Sequence, residues 1–380
     1  DESGKWMVEL DPLKASAEPR TMTVRGGNEI KVEDVLVGEV WLASGQSNME
    51  WDFMRVDKAE REYAMKHADN RLLRAFHVNR HVTSGTPLDD TVGLWKTSHD
   101  MVGEEGIGLG LEKGISAVGF LFALKLQQEL GVPVAFIDSN WGGRRIENFT
   151  PDDGFAAVGI EHGKKGTACS AADYKDKLKD KQASLATLLE EVKQGKKISP
   201  KTAGTLGIRV AKGKTASPEQ IEEKISEMQR SVSEALKAVE HGMRVPVAIR
   251  GFSGVADNDI YNAMIAPLAP YAISGAIWYQ GESNRTDPRY FERLQALSKG
   301  WSKVFRIKDI PLYLVQIAPF NYNRRGEPGE LDSTLGDNIW AAQYKGAREI
   351  PGMEVVAIHD TDIPIINIHP PHKLPVANRL

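Results

Sequence analysis

Ser47 stands where a nucleophile can be held at the edge of a sheet. It follows an apolar run that ends at Ala43 and a turn that contains Gly45 and Gln46, and Asn48 comes next. A strand that ends in a glycine turn before a helix places a hydroxyl at the carboxyl edge of a sheet, where backbone N–H groups stabilise an oxyanion. A serine after a turn is also a common helix N-cap. The pattern therefore leaves Ser47 as a nucleophile or as a cap.

A serine hydroxyl attacks only when a base accepts its proton, and imidazole does so near neutral pH. The late segment NIHPPHK, residues 367–373, supplies two histidines. We prefer His369 as the base because the prolines after it restrict the loop. His372 has the pattern of a surface residue, and His359, directly after the last apolar run, is a rival base.

Consecutive glycines mark a second candidate segment, FIDSNWGGRRIE, at residues 136–147. An apolar run leads into Gly142 and Gly143, whose lack of a side chain lets the backbone approach a ligand closely. An ordinary turn between a strand and a helix has the same sequence pattern.

A third segment, GAIWYQGESN, at residues 275–284, brings polar side chains to the end of an apolar run. The carboxamides of Gln280 and Asn284 can donate to a developing oxyanion, and Glu282 stands between them. Turn-forming residues with no role in chemistry remain the alternative.

These segments need a sheet that brings their ends together. Short apolar runs without alternation are typical of strands buried on both faces, and helical segments separate them, so an α/β fold with a mostly parallel sheet is predicted. The carboxyl ends of such strands form the binding edge. The predicted strands are residues 35–43, 72–78, 132–138, 273–279, 312–317 and 354–358, with helices at 118–130 and 289–305.

Two regions lie outside this alternation. Residues 1–34 predict a β-rich segment, with strands at 6–10 and 21–24, that belongs to a flanking β-domain. Residues 173–242 predict a helical hairpin inserted into the main domain, residues 35–380, because apolar residues recur there at helical spacing. SPEQ at residues 217–220 predicts the capped start of its second helix. The hairpin can be a lid, a packing element or a partner-binding arm.

Composition narrows the class of function. The 380 residues carry 48 Lys and Arg against 52 Asp and Glu, a net charge of -4, which gives no reason to expect nucleic acid as a partner. Cys169 is the single cysteine, so no intramolecular disulfide forms. No apolar run is long enough for a membrane span. The start at Asp1 fits removal of a signal peptide or a fragment, and the end at Leu380, inside an amphipathic segment, suggests truncation.

The motifs together resemble those of the SGNH hydrolases, and more closely the sialate O-acetylesterase family and the related acetylxylan esterases. GQSNM at residues 45–49 is similar to the nucleophile block, NWGG at 140–143 to the glycine block, WYQGESN at 278–284 to the third block and IHP at 368–370, with Lys373, to the histidine block. The resemblance spans residues 35–380 apart from the helical insertion. It implies a flavodoxin-like three-layer α/β/α sandwich.

The resemblance also implies roles. Ser47 attacks an acetyl carbonyl, and His369 takes its proton and later returns one to the sugar oxygen. The oxyanion is held by the Ser47 N–H, by an N–H of Gly142 or Gly143, and by a carboxamide, for which Gln280 and Asn284 of the third block are the two candidates.

The acid of the expected triad departs from the family pattern. The two positions before the histidine where the family places Asp hold Ile366 and Asn367. Asp362 is our first candidate and Asp360 the second, while Asn367 can orient the imidazole without charge. A Ser-His dyad is the third possibility. The choice matters because replacing the acid in another triad enzyme costs about 10⁴ in turnover.

Glu282 and the two arginines after the glycine block have open roles. Glu282 can bind sugar hydroxyls or brace the Ser47 turn. Arg144 or Arg145 can meet the carboxylate of an acidic sugar, or form an ion pair of purely structural use.

The resulting hypothesis is a serine esterase that removes O-acetyl groups from a glycan, most like a sialate 9-O-acetylesterase, with neither metal nor organic cofactor. Acetylxylan or another polysaccharide is the alternative substrate. A catalytically weak carbohydrate-binding protein is the alternative from another class. A metal-dependent deacetylase is disfavoured because no spacing such as H-E-x-x-H occurs. The expected location is secreted or periplasmic, and the oligomeric state stays open.

Overall fold

The computed structural model describes most of the chain. The described residues are 6–78, 83–91, 93–102, 114–161, 171–199, 202, 217–240, 257–322, 335–361 and 367–380.

The strands of the described part are β1 (Ser16–Arg25), β2 (Glu29–Val37), β3 (Glu39–Gly45), β4 (Leu73–Val78), β5 (Gly93–Thr97), β6 (Val134–Asn140), β7 (Gly275–Tyr279), β8 (Leu312–Val315) and β9 (Met353–Val356). The helices are α1 (Ser47–Glu50), α2 (Lys58–Met65), α3 (Ser98–Val102), α4 (Ala117–Leu130), α5 (Asp152–Val158), α6 (Ala171–Lys193), α7 (Pro218–Glu240), α8 (Tyr290–Val304), α9 (Ala341–Glu349) and α10 (Leu374–Arg379).

Seven strands form the central sheet, in the order β5-β4-β6-β3-β7-β8-β9. All neighbours are parallel except β5, which pairs antiparallel with β4 at the edge. β3 lies in the middle, and its last residue, Gly45, is in register with Asn140 of β6 and Tyr279 of β7. The segments that follow these three strands therefore start at the same edge.

Side chains that alternate along each strand divide the core into two apolar layers. Leu42 of β3 and Trp278 of β7 pack in one layer, while Ala43 and Ile277 pack in the other. Because both faces of the sheet are covered, its strands have apolar runs without polar alternation. The predicted three-layer α/β/α sandwich is confirmed.

Helix α4 covers one face of the sheet and has clear start and stop signals. The Ser116 hydroxyl accepts a hydrogen bond from the Gly119 N–H at 3.0 Å, and Gly131 ends the helix in the left-handed region, with φ 65°. These are the caps that satisfy backbone groups left over at helix ends.

The N-terminal part differs from its sequence prediction. β1 and β2 form a separate two-stranded antiparallel sheet, and β2 extends past residue 34 to Val37. The strand predicted at residues 6–10 is wrong: this stretch has no regular structure and its side chains are exposed. Its apolar residues have no second layer to pack against among the described residues, so an apolar stretch here did not indicate a strand.

The two helices predicted within residues 173–242 are present as α6 and α7, which pack against each other. Ser217 and Gln220 form the expected capping box, with the Gln220 N–H donating to the Ser217 hydroxyl and the Ser217 N–H donating to the Gln220 side chain. The apolar residues of the pair form a cluster of their own: Leu178, Leu185, Val192, Ile221, Ile225, Val232 and Ala235.

In the described part of the chain, no helix has the length and apolar character needed to cross a membrane.

Candidate active site

The turn after β3 depends on Gly45. Its φ is +136°, and a Cβ there would lie 2.3 Å from the Tyr279 carbonyl oxygen, so only glycine fits. The Gln46 N–H donates to this same oxygen at 3.0 Å. This close contact with β7 turns the chain directly into α1, whose first residue is Ser47.

The structure brings the predicted nucleophile and base together. The Oγ of Ser47 lies 2.8 Å from the Nε2 of His369, although the two residues are 322 positions apart in the chain. When Nε2 carries no proton, the Ser47 hydroxyl donates to it, which is the geometry a general base needs.

Trp51 was not singled out from the sequence, yet it lies against the base. Its indole stacks on the His369 imidazole, with ring centroids 4.5 Å apart and planes inclined by 18°. The Arg55 guanidinium lies over Trp51 at 4.4 Å, and the Trp51 Nε1–H donates to the Arg55 carbonyl oxygen at 2.8 Å. An aromatic residue four positions after the serine was the available signal.

The two glycine amides are placed differently. The Gly142 N–H donates to the Glu50 carboxylate at 2.5 Å, and a Cβ on Gly142 would meet the Ser47 Cβ at 3.3 Å. The Gly143 N–H, by contrast, makes no hydrogen bond with another described residue. Gly142 therefore lines the nucleophile at close range, but Glu50, which sequence reasoning also missed, occupies its donor.

The carboxamides of Gln280 and Asn284 lie in a buried network. Gln280 Nε2 donates to Asn284 Oδ1 at 2.8 Å, to Gln46 Oε1 at 3.1 Å and to the Arg144 carbonyl oxygen at 3.1 Å. Asn284 Nδ2 donates to the Glu147 carboxylate at 2.8 Å. Both predicted oxyanion donors thus have protein acceptors in this structure, and their oxyanion role stays a prediction without support from the geometry.

A second polar cluster lies beside the nucleophile. Asn48 Nδ2 donates to Glu282 Oε1 at 2.7 Å and to the Ile368 carbonyl oxygen at 2.9 Å. Lys373 Nζ donates to Asn48 Oδ1 at 2.7 Å. Glu282 is 4% exposed, so its position favours the bracing role over contact with a sugar.

Burial sets the electrostatics of this cluster. It lowers the pKa of the fully buried Lys373 to about 7, although the negative charges of Glu282 and Glu60 oppose the shift. It raises the pKa of Glu282, against the hydrogen bond from Asn48. An opposite charge nearby is what makes each of these buried groups tolerable.

The two arginines after the glycines have different surroundings. Arg145 forms ion pairs with Glu147 at 2.8 Å and Asp287 at 3.1 Å. Arg144 is half-buried, its guanidinium lies 4.4 Å from the Trp141 ring centroid, and its Nε is buried with no hydrogen-bond partner. Burial lowers the pKa of Arg144, and the charge of Glu50 acts in the opposite direction.

The two candidates for the triad acid and Asn367 differ in what the structure shows of their contacts. Asp360 is bound to Arg379, with oxygen–nitrogen distances of 2.5 and 3.0 Å, and this contact lowers the pKa of Asp360. Our second candidate is therefore committed to another partner. Asn367 Oδ1 accepts from the His369 backbone N–H at 3.0 Å and so shapes the loop that carries the imidazole. Asp362 lies outside the described residues.

The rival histidines have other neighbours. His359 Nδ1 lies 3.4 Å from Gln316 Oε1. His372 is 42% exposed and lies 3.9 Å from a Glu60 oxygen. Of the histidines considered, His369 is the one hydrogen-bonded to Ser47 in the described part of the chain.

The known proteins that are similar to this chain are consistent with the geometry of the site. No family model matches the chain. Mouse sialate O-acetylesterase is 25% identical over 393 aligned residues, covering 100% of this chain and 62% of the mouse protein. The human sialate O-acetylesterase is 33% identical over 165 residues, covering 42% of this chain and 30% of the human protein. The chain is a homologue of the sialate O-acetylesterases.

A solved structure extends the comparison. The crystal structure of a carbohydrate acetylesterase from Xanthomonas citri matches this homologue with a TM-score of 0.63 and 27% identity, covering 100% of this chain and 63% of that one. The homologue thus spans a little over three fifths of the length of the mouse protein and of this bacterial one.

Proposed function

We propose that this chain is a serine-dependent carbohydrate O-acetylesterase. The observation that carries the proposal is the 2.8 Å contact between Ser47 Oγ and His369 Nε2 at the carboxyl edge of the sheet. The similarity to the mouse sialate O-acetylesterase and to the Xanthomonas citri carbohydrate acetylesterase supports the choice of an acetyl ester on a sugar.

The reaction proceeds in two steps, acetylation of Ser47 and then hydrolysis of the acetyl-Ser47 ester. Ser47 Oγ attacks the acetyl carbonyl carbon while His369 Nε2 takes the hydroxyl proton, and a tetrahedral oxyanion forms. The intermediate collapses as His369 gives that proton to the departing sugar oxygen, which leaves acetyl-Ser47. Water then attacks the acetyl group, His369 takes the water's proton and returns it to Ser47, and acetate leaves.

Backbone N–H groups hold the oxyanion in this proposal. Ser47 is the first residue of α1, so its N–H is one of those left without a partner at a helix start. Gly143 supplies a second N–H, because the donor of Gly142 is taken by Glu50. Removing one oxyanion donor typically costs about 10²–10³ in turnover, so these groups contribute substantially to the rate.

Arg144 favours an acidic sugar, as in a sialic acid, over acetylxylan. Its guanidinium lies over the Trp141 ring, two residues after Gly142, and the residue is half-buried rather than enclosed. A sugar carboxylate can form an ion pair with an arginine in this position. Replacing Arg144 by Met should lower the preference for acetylated sialic acid over acetylated xylo-oligosaccharide. Replacing Arg145 by Met, the matched control, should lower stability and leave this preference unchanged, because Arg145 is paired with Glu147.

The remaining expectations belong to the same proposal. The main domain spans residues 35–380, with residues 173–242 as its insertion, and the protein acts outside the cytoplasm, where acetylated glycans are met. No metal takes part, so acetate release should be insensitive to a chelator.

Acetate release tests the proposal. The wild-type chain should release acetate from a small acetyl ester and from an O-acetylated glycan, and Ser47→Ala and His369→Ala should reduce both to near background. A correctly folded wild-type chain that binds the glycan and releases no acetate would favour the carbohydrate-binding alternative.

A further inference from the structure

The Asn48 carboxamide joins three segments that are distant in sequence. Its backbone follows Ser47 directly, its Nδ2 donates to the carbonyl oxygen of Ile368, and Ile368 precedes His369. The other Nδ2 hydrogen goes to Glu282, which lies in the segment after β7. One amide group therefore connects the neighbour of the nucleophile to the neighbour of the base.

This connection works in one orientation of the amide only. The Nδ2 group faces two acceptors, the Ile368 carbonyl and the Glu282 carboxylate, while Oδ1 faces Lys373 Nζ, which has donors alone when it is charged. A flipped amide would set Nδ2 against Lys373 and Oδ1 against two other oxygens. In the described part of the chain, Lys373 is the donor that the Asn48 Oδ1 accepts from in the observed orientation of the amide.

Lys373 is itself held by its surroundings. Lys373 is fully buried, and its Nζ lies 5.3 Å from the Tyr279 ring centroid and 5.8 Å from that of Trp51. Its backbone N–H donates to the Glu60 carboxylate at 2.7 Å. Burying an ammonium group carries a desolvation cost, and this cost lowers the pKa of Lys373 to about 7. A fully buried lysine on the segment that also carries His369 is hard to explain by packing alone, since an apolar residue would fill the space without that cost.

We propose that Lys373 is a positioning residue for the Ser47–His369 pair: by donating to Asn48 Oδ1, it fixes the amide that ties the histidine segment to the nucleophile turn. The inference rests on the proposed function, because it concerns the alignment of that nucleophile and base. Lys373 touches neither of them in this role and acts through Asn48.

The expected effect falls on turnover. Misplacing a reacting group by about 1 Å can cost about 10²-fold in rate, while sugar contacts elsewhere are unaffected. Loss of the Lys373 contact should therefore lower kcat and leave KM nearly unchanged. A general packing defect would instead lower the fraction of folded protein.

A double-mutant cycle tests the proposal on the whole chain, with Lys373→Met, Asn48→Ala and the double variant, and Lys345→Met as the control. Lys345 also lies over an aromatic ring, that of Phe291 at 4.1 Å, but it lies on α9 and its side chain is only partly buried. Each folded variant is measured for kcat and KM with a small acetyl ester, and for the rate at which a fluorophosphonate labels Ser47.

The proposal predicts that Lys373→Met and Asn48→Ala each lower kcat by about 10- to 100-fold with KM within about twofold, and that the double variant is no worse than the poorer single one. A kcat within about twofold of wild type for Lys373→Met, or losses that multiply in the double variant, would overturn it.

If Lys373→Met does not fold, Asn48→Asp replaces it in the experiment. This variant keeps an oxygen that can accept from Lys373 but removes both Nδ2 donors, so wild-type turnover in Asn48→Asp overturns the proposal.

The measurements also distinguish failure of this inference from failure of the proposed function. If the wild-type chain releases no acetate but Ser47 is labelled, the proposed function fails, and the labelling rate alone decides whether Lys373 positions Ser47. A wild-type chain that does neither overturns both.

Discussion

The indole of Trp51 stacks on the imidazole of His369 at a centroid distance of 4.5 Å. Trp51 follows directly after the short helix that begins with Ser47, so one segment supplies both the proposed nucleophile and the surface against which the proposed base rests. Since an aromatic face also favours a cation over it, this contact would stabilise the imidazolium that forms in the proposed reaction.

Replacing Trp51 by Leu should lower kcat by about tenfold, because the imidazole loses an aromatic contact worth about 0.5–2 kcal/mol in its charged form. Trp51→Phe keeps a ring beneath His369 and should retain most of the activity. Steady-state kinetics on a small acetyl ester distinguish the two. Equal kcat values for the Leu and Phe variants would show that the stacking has no role in turnover.

The two glycines of the NWGG segment should respond differently to alanine. At Gly142 a Cβ would lie 2.8 Å from Glu50 Oε2 and 3.3 Å from the Ser47 Cβ, so Gly142→Ala should lower kcat by at least about tenfold through misplacement of the nucleophile. At Gly143 the Cβ meets open space, and the φ of +70° costs about 1 kcal/mol of stability. Gly143→Ala should therefore fold and keep kcat within a few-fold. A larger loss of kcat at Gly143 than at Gly142 would contradict this placement.

Gln280 and Asn284 should matter more for stability than for the oxyanion. Both are fully buried and bound to protein acceptors, and each buried group left unsatisfied costs about 1–3 kcal/mol. Asn284→Ala should clearly lower the midpoint of thermal unfolding while the folded fraction keeps kcat within about tenfold. If instead stability is unchanged and kcat drops by about 10²–10³, the carboxamide is an oxyanion donor after all.

The sequence predicted the sheet, and it placed at one edge of that sheet the two residues, Ser47 and His369, that the structure brings into contact. Buried strands such as β3 and β7 have uninterrupted apolar runs, and Gly45 marks the turn after β3, so the edge that holds Ser47 could be predicted. The pairing with His369 rested on the prolines after it and on motif resemblance, because no local pattern links residues 322 positions apart.

The partners of polar side chains could not be predicted in the same way. A carboxamide at a strand end has the same sequence pattern whether it faces a substrate or a buried network, and Gln280 proved to face Gln46 and Asn284. Lysine is a residue type usually found at the surface, yet Lys373 is fully buried, with its Nζ bonded to Asn48 and close to the Tyr279 ring. Such outcomes depend on tertiary packing, which local spacing does not encode.

Asp360 and Asp362 can be separated by mutation. Asp360→Asn should leave kcat within about twofold, because its carboxylate is bound to Arg379. Asp362→Asn should lower kcat by up to about 10⁴ if Asp362 orients the imidazole, as our first candidate for the acid. Kinetics of both variants under identical conditions decide the matter. A large loss at Asp360 with none at Asp362 would reverse the ranking.

Lys373 should also be visible in the pH dependence of stability. Its folded pKa of about 7 lies below the value of 10.5 for an ordinary lysine, so between these pH values the unfolded chain binds a proton that the folded chain does not. The free energy of unfolding should then rise with pH, by at most about 1.4 kcal/mol per unit. Lys373→Met should not show this increase in the free energy of unfolding with pH.

Urea unfolding of the wild type and of Lys373→Met at about pH 7.5 and pH 9.5 measures the difference. The charged groups that act on Lys373, namely Glu282, Glu60 and Arg55, are present in both proteins. The stability of the wild type relative to the variant should increase at the higher pH. A difference that stays constant would mean that Lys373 keeps an ordinary lysine pKa.

The most direct test of the account asks whether an acetyl group becomes attached to Ser47. The wild-type chain is mixed with an activated acetyl ester, quenched within the first turnover and digested, and the peptides are weighed by mass spectrometry. We predict one added acetyl group on the peptide that contains Ser47, and none when Ser47 is Ala or His369 is Ala. Acetate release that persists in Ser47→Ala, or an acetyl group on a different residue in the wild type, would contradict the assignment of Ser47 as nucleophile and His369 as its base.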